Sequence, residues 1–217
     1  MNKGSLLNFG DSWAHGAGVE PAERYADIMA QRWDYPLLDY SQPSTSAARM
    51  ILQLQTFLDT AYTPGKDYTA LFFITAQERQ LLFSDTGEPR EMHVQSQSDR
   101  DYYSEYYTSR LGTLVLNTTL ITLQAMCRHY YIKDYYMLGW QYPVLWPTVD
   151  TSKFYAGARS NAVNIILNSE HKINFHEINT DAHPGFVHGH PSVKGHADMA
   201  RAWMRSIVQY DQAQSNT

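Results

Sequence analysis

The sequence predicts an α/β protein: a three-layer sandwich of the doubly wound, flavodoxin-like kind, built on a five-stranded, mainly parallel sheet. Two observations lead there. Short apolar runs alternate with amphipathic helical patterns along the whole chain, and no repeat, linker or low-complexity tract interrupts them. Five of those runs read as strands, and strands joined through helices form parallel sheets covered on both faces. Right-handed crossovers then narrow the topology to the doubly wound one.

Each element has its own signal. "SLLNF" (5–9) reads as a buried first strand. "AERYADIMAQRW" (22–33) places Tyr25, Ile28, Met29 and Trp33 on one helical face. "PLLDYS" (36–41) is a second strand, and "SAARMILQLQTFLDTAY" (46–62) a helix with Ser46 as candidate cap. "YTALFFIT" (68–75) is the most strand-like run of the chain. The polar segment "SDTGEPREMHVQSQSDRD" (84–101) is long for a connection and predicts an insertion or lid around 84–104. A helical region over 102–130 follows, then a strand at "DYYMLGW" (134–140) and a helix at "ARSNAVNIILNS" (158–169). "KINFHEI" (172–178) supplies the fifth strand and "SVKGHADMARAWMRSIVQY" (192–210) the closing helix.

Composition narrows the function classes. The 217 residues suit one domain, 1–217, large enough for a substantial core. A hydrophobic share of 43% against 18% charged residues excludes disorder. A net charge of −5 offers no footprint for nucleic acid or an anionic membrane. No apolar run approaches the ~20 residues of a membrane span. The apolar opening is too short for a signal peptide, so a cytoplasmic protein is expected. Cys127 is the single cysteine and sits in an apolar helical run, which predicts a buried, inert thiol. The tyrosines at 102, 103, 106 and 107 fall on one helical face. They predict either packing or, together with "GWQYPVLWP" (139–147), a stacking platform for sugar rings.

Doubly wound folds gather ligands at the carboxyl ends of their strands, where Ser12, Ser41–Ser44 and Thr75–Glu78 fall. Ser12 follows Gly10-Asp11 in a turn ahead of a helical pattern. A serine hydroxyl is a weak nucleophile at neutral pH and needs a base. The best candidate is His190 in "HGHPSVKGHADMA" (188–200), where Pro191 fixes the chain before the last helix. Six of the nine histidines fall between 171 and 196, and the His188-x-His190 pair raises a zinc site as a rival. No HExxH motif accompanies it, and a metal leaves Ser12 unexplained, so neither metal nor cofactor is expected.

These residues carry a resemblance to a known family. "FGDSWAHGAG" and "HPSVKGHADMA" resemble the first and last blocks of the SGNH (GDSL-like) hydrolases, whose four blocks supply a Ser, a Gly, an Asn and a His. The order and end-to-end spacing match, so the resemblance spans nearly the whole chain. It implies Ser12 as nucleophile and His190 as base, with His196 structural. It also implies oxyanion donors at Ser44, where the family has Gly, and at Gln77, where Thr75-Ala76-Gln77-Glu78 replaces Gly-x-Asn-Asp. Three residues before His190, where the family has Asp, stands Val187. The third member of a triad then falls to Asp181, Glu177 or Glu78, with Asp11 supporting, or to a backbone carbonyl in a Ser-His dyad. The activity implied is hydrolysis of small acyl esters, acetyl on carbohydrate first. The alternative is a catalytically degenerate module for binding or assembly. Small diverged chains of this kind look like ones encoded by bacteriophages, which makes virion association part of that alternative.

Overall fold

The computed structural model describes residues 4–94, 96–169 and 179–215. The sheet is built from β1 (Ser5–Phe9), β2 (Leu37–Asp39), β3 (Tyr68–Ile74) and, later in the chain, Lys133–Leu138. Between β3 and that last strand, β4 (Gln80–Phe83) and β5 (Pro89–Met92) form a separate antiparallel hairpin, which makes Lys133–Leu138 β6. The main sheet runs β2-β1-β3-β6, and every pairing is parallel. This is the doubly wound order, and the α/β class holds, with four strands in the main sheet among the described residues where five are expected. The run 172–178 lies outside the described residues. Two isolated parallel bridges, Tyr136 to Phe154 and Leu138 to Asn161, continue the pairing beyond β6.

Helices cover both faces. α1 (Ser12–His15) and α2 (Tyr25–Trp33) follow β1, and α3 (Arg49–Thr60) follows β2. After the hairpin come α4 (Arg100–Glu105) and α5 (Ser109–His129), then α6 (Ala162–Leu167). A small hairpin, β7 (Phe186–Val187) with β8 (His190–Pro191), leads into α7 (Val193–Ser215). Side chains of β3 alternate between two cores, as a strand's period of two requires. Leu71 and Phe73 join Tyr25, Met29, Met137 and Trp203 on the α2–α6–α7 side. Phe72 and Ile74 join Leu54, Phe57, Leu120 and Tyr136 on the α3–α5 side. On that second face the parallel register stacks one aromatic ring per strand. Phe9 lies on Phe72 at 4.8 Å, Phe72 on Tyr136 at 5.1 Å, and Tyr136 on Phe154 at 4.9 Å.

The expected helix over 102–130 is broken, because Thr108 takes extended backbone and its hydroxyl accepts the Leu111 N–H, capping a new helix. The four tyrosines therefore do not share one helix: Tyr106 ends α4, and Tyr107 lies in the break. The Tyr103 hydroxyl reaches the carbonyls of Glu78 (2.5 Å) and Met92 (2.8 Å), fastening α4 to both ends of the β4–β5 hairpin. Cys127 is fully buried, and that burial pushes its thiol pKa well up. No helix among the described residues is long and apolar enough to cross a membrane.

Candidate active site

Gly10 ends β1 and turns the chain toward α1. Its φ is +150°, and a Cβ there would sit 2.7 Å from the Ala14 Cβ and 2.9 Å from the Phe73 Cβ, so only glycine passes. Asp11 caps α1 by accepting the Trp13 N–H at 2.9 Å. Ser12 thus stands on the first helical residue at the carboxyl end of a central strand, 9% exposed.

His190 arrives from the β7–β8 hairpin. The two-residue loop His188-Gly189 has positive φ at both positions, +48° and +75°. That is the pattern of a type I′ turn, whose twist matches its flanking strands. The turn brings His190 Nε2 to 3.2 Å from Ser12 Oγ. It also folds His190 Nδ1 back to 3.1 Å from the His188 carbonyl. A carbonyl oxygen can only accept, so in the neutral ring Nδ1 carries the proton. Nε2 is then the lone-pair nitrogen, free to accept from the Ser12 hydroxyl.

Beside the pair opens a cavity of about 420 Å³ lined by Ser12, His190, Trp13, Trp140, Glu78 and Arg79, among others. The loop after β5 adds His93 and Val94 to its wall. Burial and the nearby Arg79 charge hold the His93 pKa below the usual histidine value.

No protein-family model and no curated protein matches the sequence. Solved structures do match. The acetylxylan esterase Axe2 of Geobacillus stearothermophilus superposes with a TM-score of 0.51 at 16% identity, covering 95% of this chain and 96% of its own. The psychrotrophic esterase EstA of a Pseudoalteromonas species gives 0.52 at 13% identity over 96% and 98%. A G-D-S-L family structure from Desulfitobacterium hafniense gives 0.52 at 11% over 93% and 98%. The chain has the SGNH hydrolase fold.

Within the SGNH frame the other candidate residues take definite places. Asp11 is wholly buried, and besides Trp13 its carboxylate accepts from Thr75 Oγ1 (2.9 Å) and Arg79 Nη1 (2.8 Å). Burial raises its pKa, against the lowering pull of Arg79 and the hydrogen bonds. It braces the Ser12 turn. The Glu78 carboxylate lines the cavity but is gripped by Gln141 Nε2 at 2.8 and 2.6 Å. Asp181 lies in a 3-10 turn, Thr180–Ala182, but its side chain is not among the described ones, and Glu177 is outside the described residues. Among the described residues, therefore, the His188 carbonyl and no carboxylate meets Nδ1.

The two oxyanion candidates are not brought to the cavity wall. Ser44 is exposed with φ +67°, the left-handed conformation for which glycine is suited. Gln77 donates its backbone N–H to Gln141 Oε1 at 3.2 Å, and its own Oε1 is buried without a partner. His196 is fully buried, accepts the Tyr25 N–H at 3.3 Å, and is structural. Burial first, then the Arg24 and His190 charges, pull its pKa down to about 4. No group of three or more His, Cys, Asp or Glu comes together among the described residues as a metal site.

Sequence reasoning missed Arg79, whose guanidinium holds Asp11 and lies 5.1 Å over the Trp140 ring. Its one legible signal was position: it follows the third SGNH-like block directly.

Proposed function

We propose that the protein is a serine ester hydrolase acting on small acyl esters, with acetyl groups on carbohydrate as the first substrate class. The observation that carries this is the 3.2 Å contact between Ser12 Oγ and His190 Nε2 at the wall of an open cavity. In this reading Ser12 Oγ attacks the acyl carbon while Nε2 takes its proton. The imidazolium returns that proton to the leaving alcohol, and water activated by the same nitrogen releases the acyl group from Ser12. The His188 carbonyl does part of an aspartate's work: it fixes the tautomer and ring orientation. Its partial charge stabilises the imidazolium less than a full carboxylate would. The Ser12 N–H, with Ser44 and Gln77 after rearrangement, is proposed to face the oxyanion. Trp140, half-buried at the cavity wall with the buried Trp13 behind it at 5.2 Å, offers an aromatic edge of the kind sugar rings pack on. The acetylxylan activity named for the Geobacillus structure accords with this class.

A second reading, a degenerate module that binds or assembles without turnover, is favoured by Val187 and by oxyanion candidates that stand away from the cavity. A fluorophosphonate probe together with 4-nitrophenyl acetate separates the two. The hydrolase reading expects labelling and turnover that both disappear in Ser12→Ala, and turnover reduced at least about 10³-fold in His190→Ala. Wild-type protein that neither labels nor hydrolyses overturns the hydrolase reading and leaves the binding module.

A further inference from the structure

An ester hydrolase must hold the negative charge that gathers on the acyl oxygen, and donors fixed there in advance are usually the largest single aid to the reaction. The cavity beside Ser12 is short of them. Ser44 and Gln77 stand away from its wall, and Gln141, which is on the wall, commits its Nε2 to Glu78 at 2.8 and 2.6 Å. Of the described residues on that wall, Arg79 alone carries a permanent positive charge. Its side chain, 23% exposed, shares the cavity with Ser12 and His190.

Two contacts fix that guanidinium. Nη1 donates to Asp11 Oδ2 at 2.8 Å, and the group lies 5.1 Å from the Trp140 ring centre. Asp11 directly precedes Ser12, and its Oδ1 accepts the N–H of Trp13, which directly follows it, at 2.9 Å. One carboxylate therefore ties the cation to the turn that carries the nucleophile. Asp11 is wholly buried and does not line the cavity, so a group bound there meets the guanidinium and not its counter-charge. A guanidinium has more N–H donors than one carboxylate oxygen uses, and Asp11 is its one hydrogen-bond partner among the described residues. The charge is felt across the wall: together with burial it holds the His93 pKa down.

We infer that Arg79 is a catalytic residue of the proposed esterase, its guanidinium donating to the acyl oxygen, beside the Ser12 N–H, as that oxygen becomes an anion. The inference rests on the hydrolase reading. It adds a donor that the cavity already presents, where Ser44 and Gln77 require rearrangement. As Ser12 Oγ bonds to the acyl carbon, the carbonyl π pair moves onto oxygen and the Oγ proton passes to His190 Nε2. When that pair returns, the bond to the alcohol oxygen breaks and His190 gives the proton to it. Arginine is not deprotonated in proteins, so the guanidinium keeps its protons throughout. Its hydrogen bond is strongest to the charged oxygen and weaker to the neutral ester. The contact therefore lowers the barrier more than it improves substrate binding.

The rival is a purely structural role, because Arg79 also compensates the buried charge of Asp11. Kinetics of the full chain on 4-nitrophenyl acetate separate the two. Arg79→Met should lower kcat by about 10²–10³-fold and leave KM within about twofold of wild type. Methylboronic acid, which becomes a tetrahedral anion on a serine oxygen, should lose at least about tenfold in inhibition by the same variant. The double variant Asp11→Asn with Arg79→Met strands no charge, and Asn keeps an acceptor for the Trp13 N–H. It should stay as slow as Arg79→Met. Recovery toward the wild-type rate would show that Arg79 acts only by neutralising Asp11, and overturns the inference. If the Met variants do not fold, Arg79→Lys decides: its single ammonium nitrogen, held by Asp11, cannot also serve the acyl oxygen. There kcat should fall at least about tenfold at an unchanged melting temperature. A wild-type kcat in Arg79→Met or Arg79→Lys, or unchanged boronate inhibition, overturns the inference and leaves the hydrolase reading intact. Wild-type protein that turns over no ester overturns both.

Discussion

Val187 is the residue on which the proposed chemistry turns. It pairs directly with His190 across the β7–β8 hairpin. Residues opposite each other on an antiparallel pair project from the same face, with Cβ atoms about 4.5–5.5 Å apart. A carboxylate introduced as Val187→Asp would therefore stand beside the imidazole and compete with the His188 carbonyl for Nδ1–H. The tautomer is already fixed by that carbonyl, so the gain is confined to stabilising the imidazolium. A rise in kcat of about tenfold is expected, well short of the full effect of a triad aspartate. A neighbouring negative charge favours the protonated ring, so the acid limb of the rate profile should move to higher pH in the variant. Rate profiles of the two proteins on 4-nitrophenyl acetate check both. Identical profiles would mean that the Asp side chain, like Val187 now, lies against Gly18 and not against the ring; a Cβ on Gly18 would meet Val187 Cγ1 at 3.0 Å.

At the scale of elements, the dyad depends on a hairpin of two residues per strand, and that hairpin depends on its turn. Gly189 has φ +75°, and a methyl group on its Cα would meet nothing within 4 Å, so Gly189→Ala causes no clash and tests backbone strain alone. A left-handed alanine costs about 1–2 kcal/mol. With few contacts to hold the turn, the cost should appear as loosening of His190: kcat falls several-fold, KM changes little, and the melting temperature moves by only a few degrees. An unaltered kcat would show that α7 and Pro191, and not the turn, position the ring. The same contrast of scales explains what the sequence disclosed. The runs 5–9 and 68–75 were legible because a central parallel strand must be apolar on both faces. The β4–β5 hairpin was not, because Leu82 and Phe83 are exposed and β5 carries the adjacent charges Arg90 and Glu91 in place of an apolar run. The break before α5 was hidden too, since one capping threonine in a helical pattern outweighs the periodicity around it. Ser12 and His190 were legible because each sits at a backbone landmark, Gly-Asp-Ser and His-Pro. Trp140 falls in the aromatic stretch 139–147 that the sequence offers as a platform, whereas Arg79 and His93 carry no such mark, and only the tertiary fold brings them to the cavity.

At the scale of the whole molecule, the buried ionisable groups set how stability follows pH, and His196, with its pKa pulled down to about 4, acts against acid in the same direction as the lowered groups His93 and Asp99. It sits where α7 meets α2, its ring 5.9 Å from that of Tyr25 and its Nδ1 accepting the Tyr25 N–H. An unfolded histidine titrates near 6.5, whereas burial holds His196 in the fold at about 4. Between those values the unfolded chain binds the extra proton, so stability rises with pH through the window and is lost as pH falls from 6.5 toward 4. A difference of that size corresponds to about 3 kcal/mol over the whole window. The buried carboxyls of Asp11 and Asp134 and the partly buried one of Glu91 have raised pKa values and work in the opposite direction, because the folded state binds their protons first. The wild-type curve alone therefore mixes both signs, and the informative quantity is a difference between proteins. His196→Gln keeps an acceptor for the Tyr25 N–H and removes the titration. Denaturant unfolding of both proteins at intervals from pH 7.5 to 4 should show the variant gaining on wild type by about 3 kcal/mol as the pH falls. Parallel curves would mean that the protonated ring is tolerated at the α2–α7 junction, and that the acid sensitivity of the fold has its origin in another group.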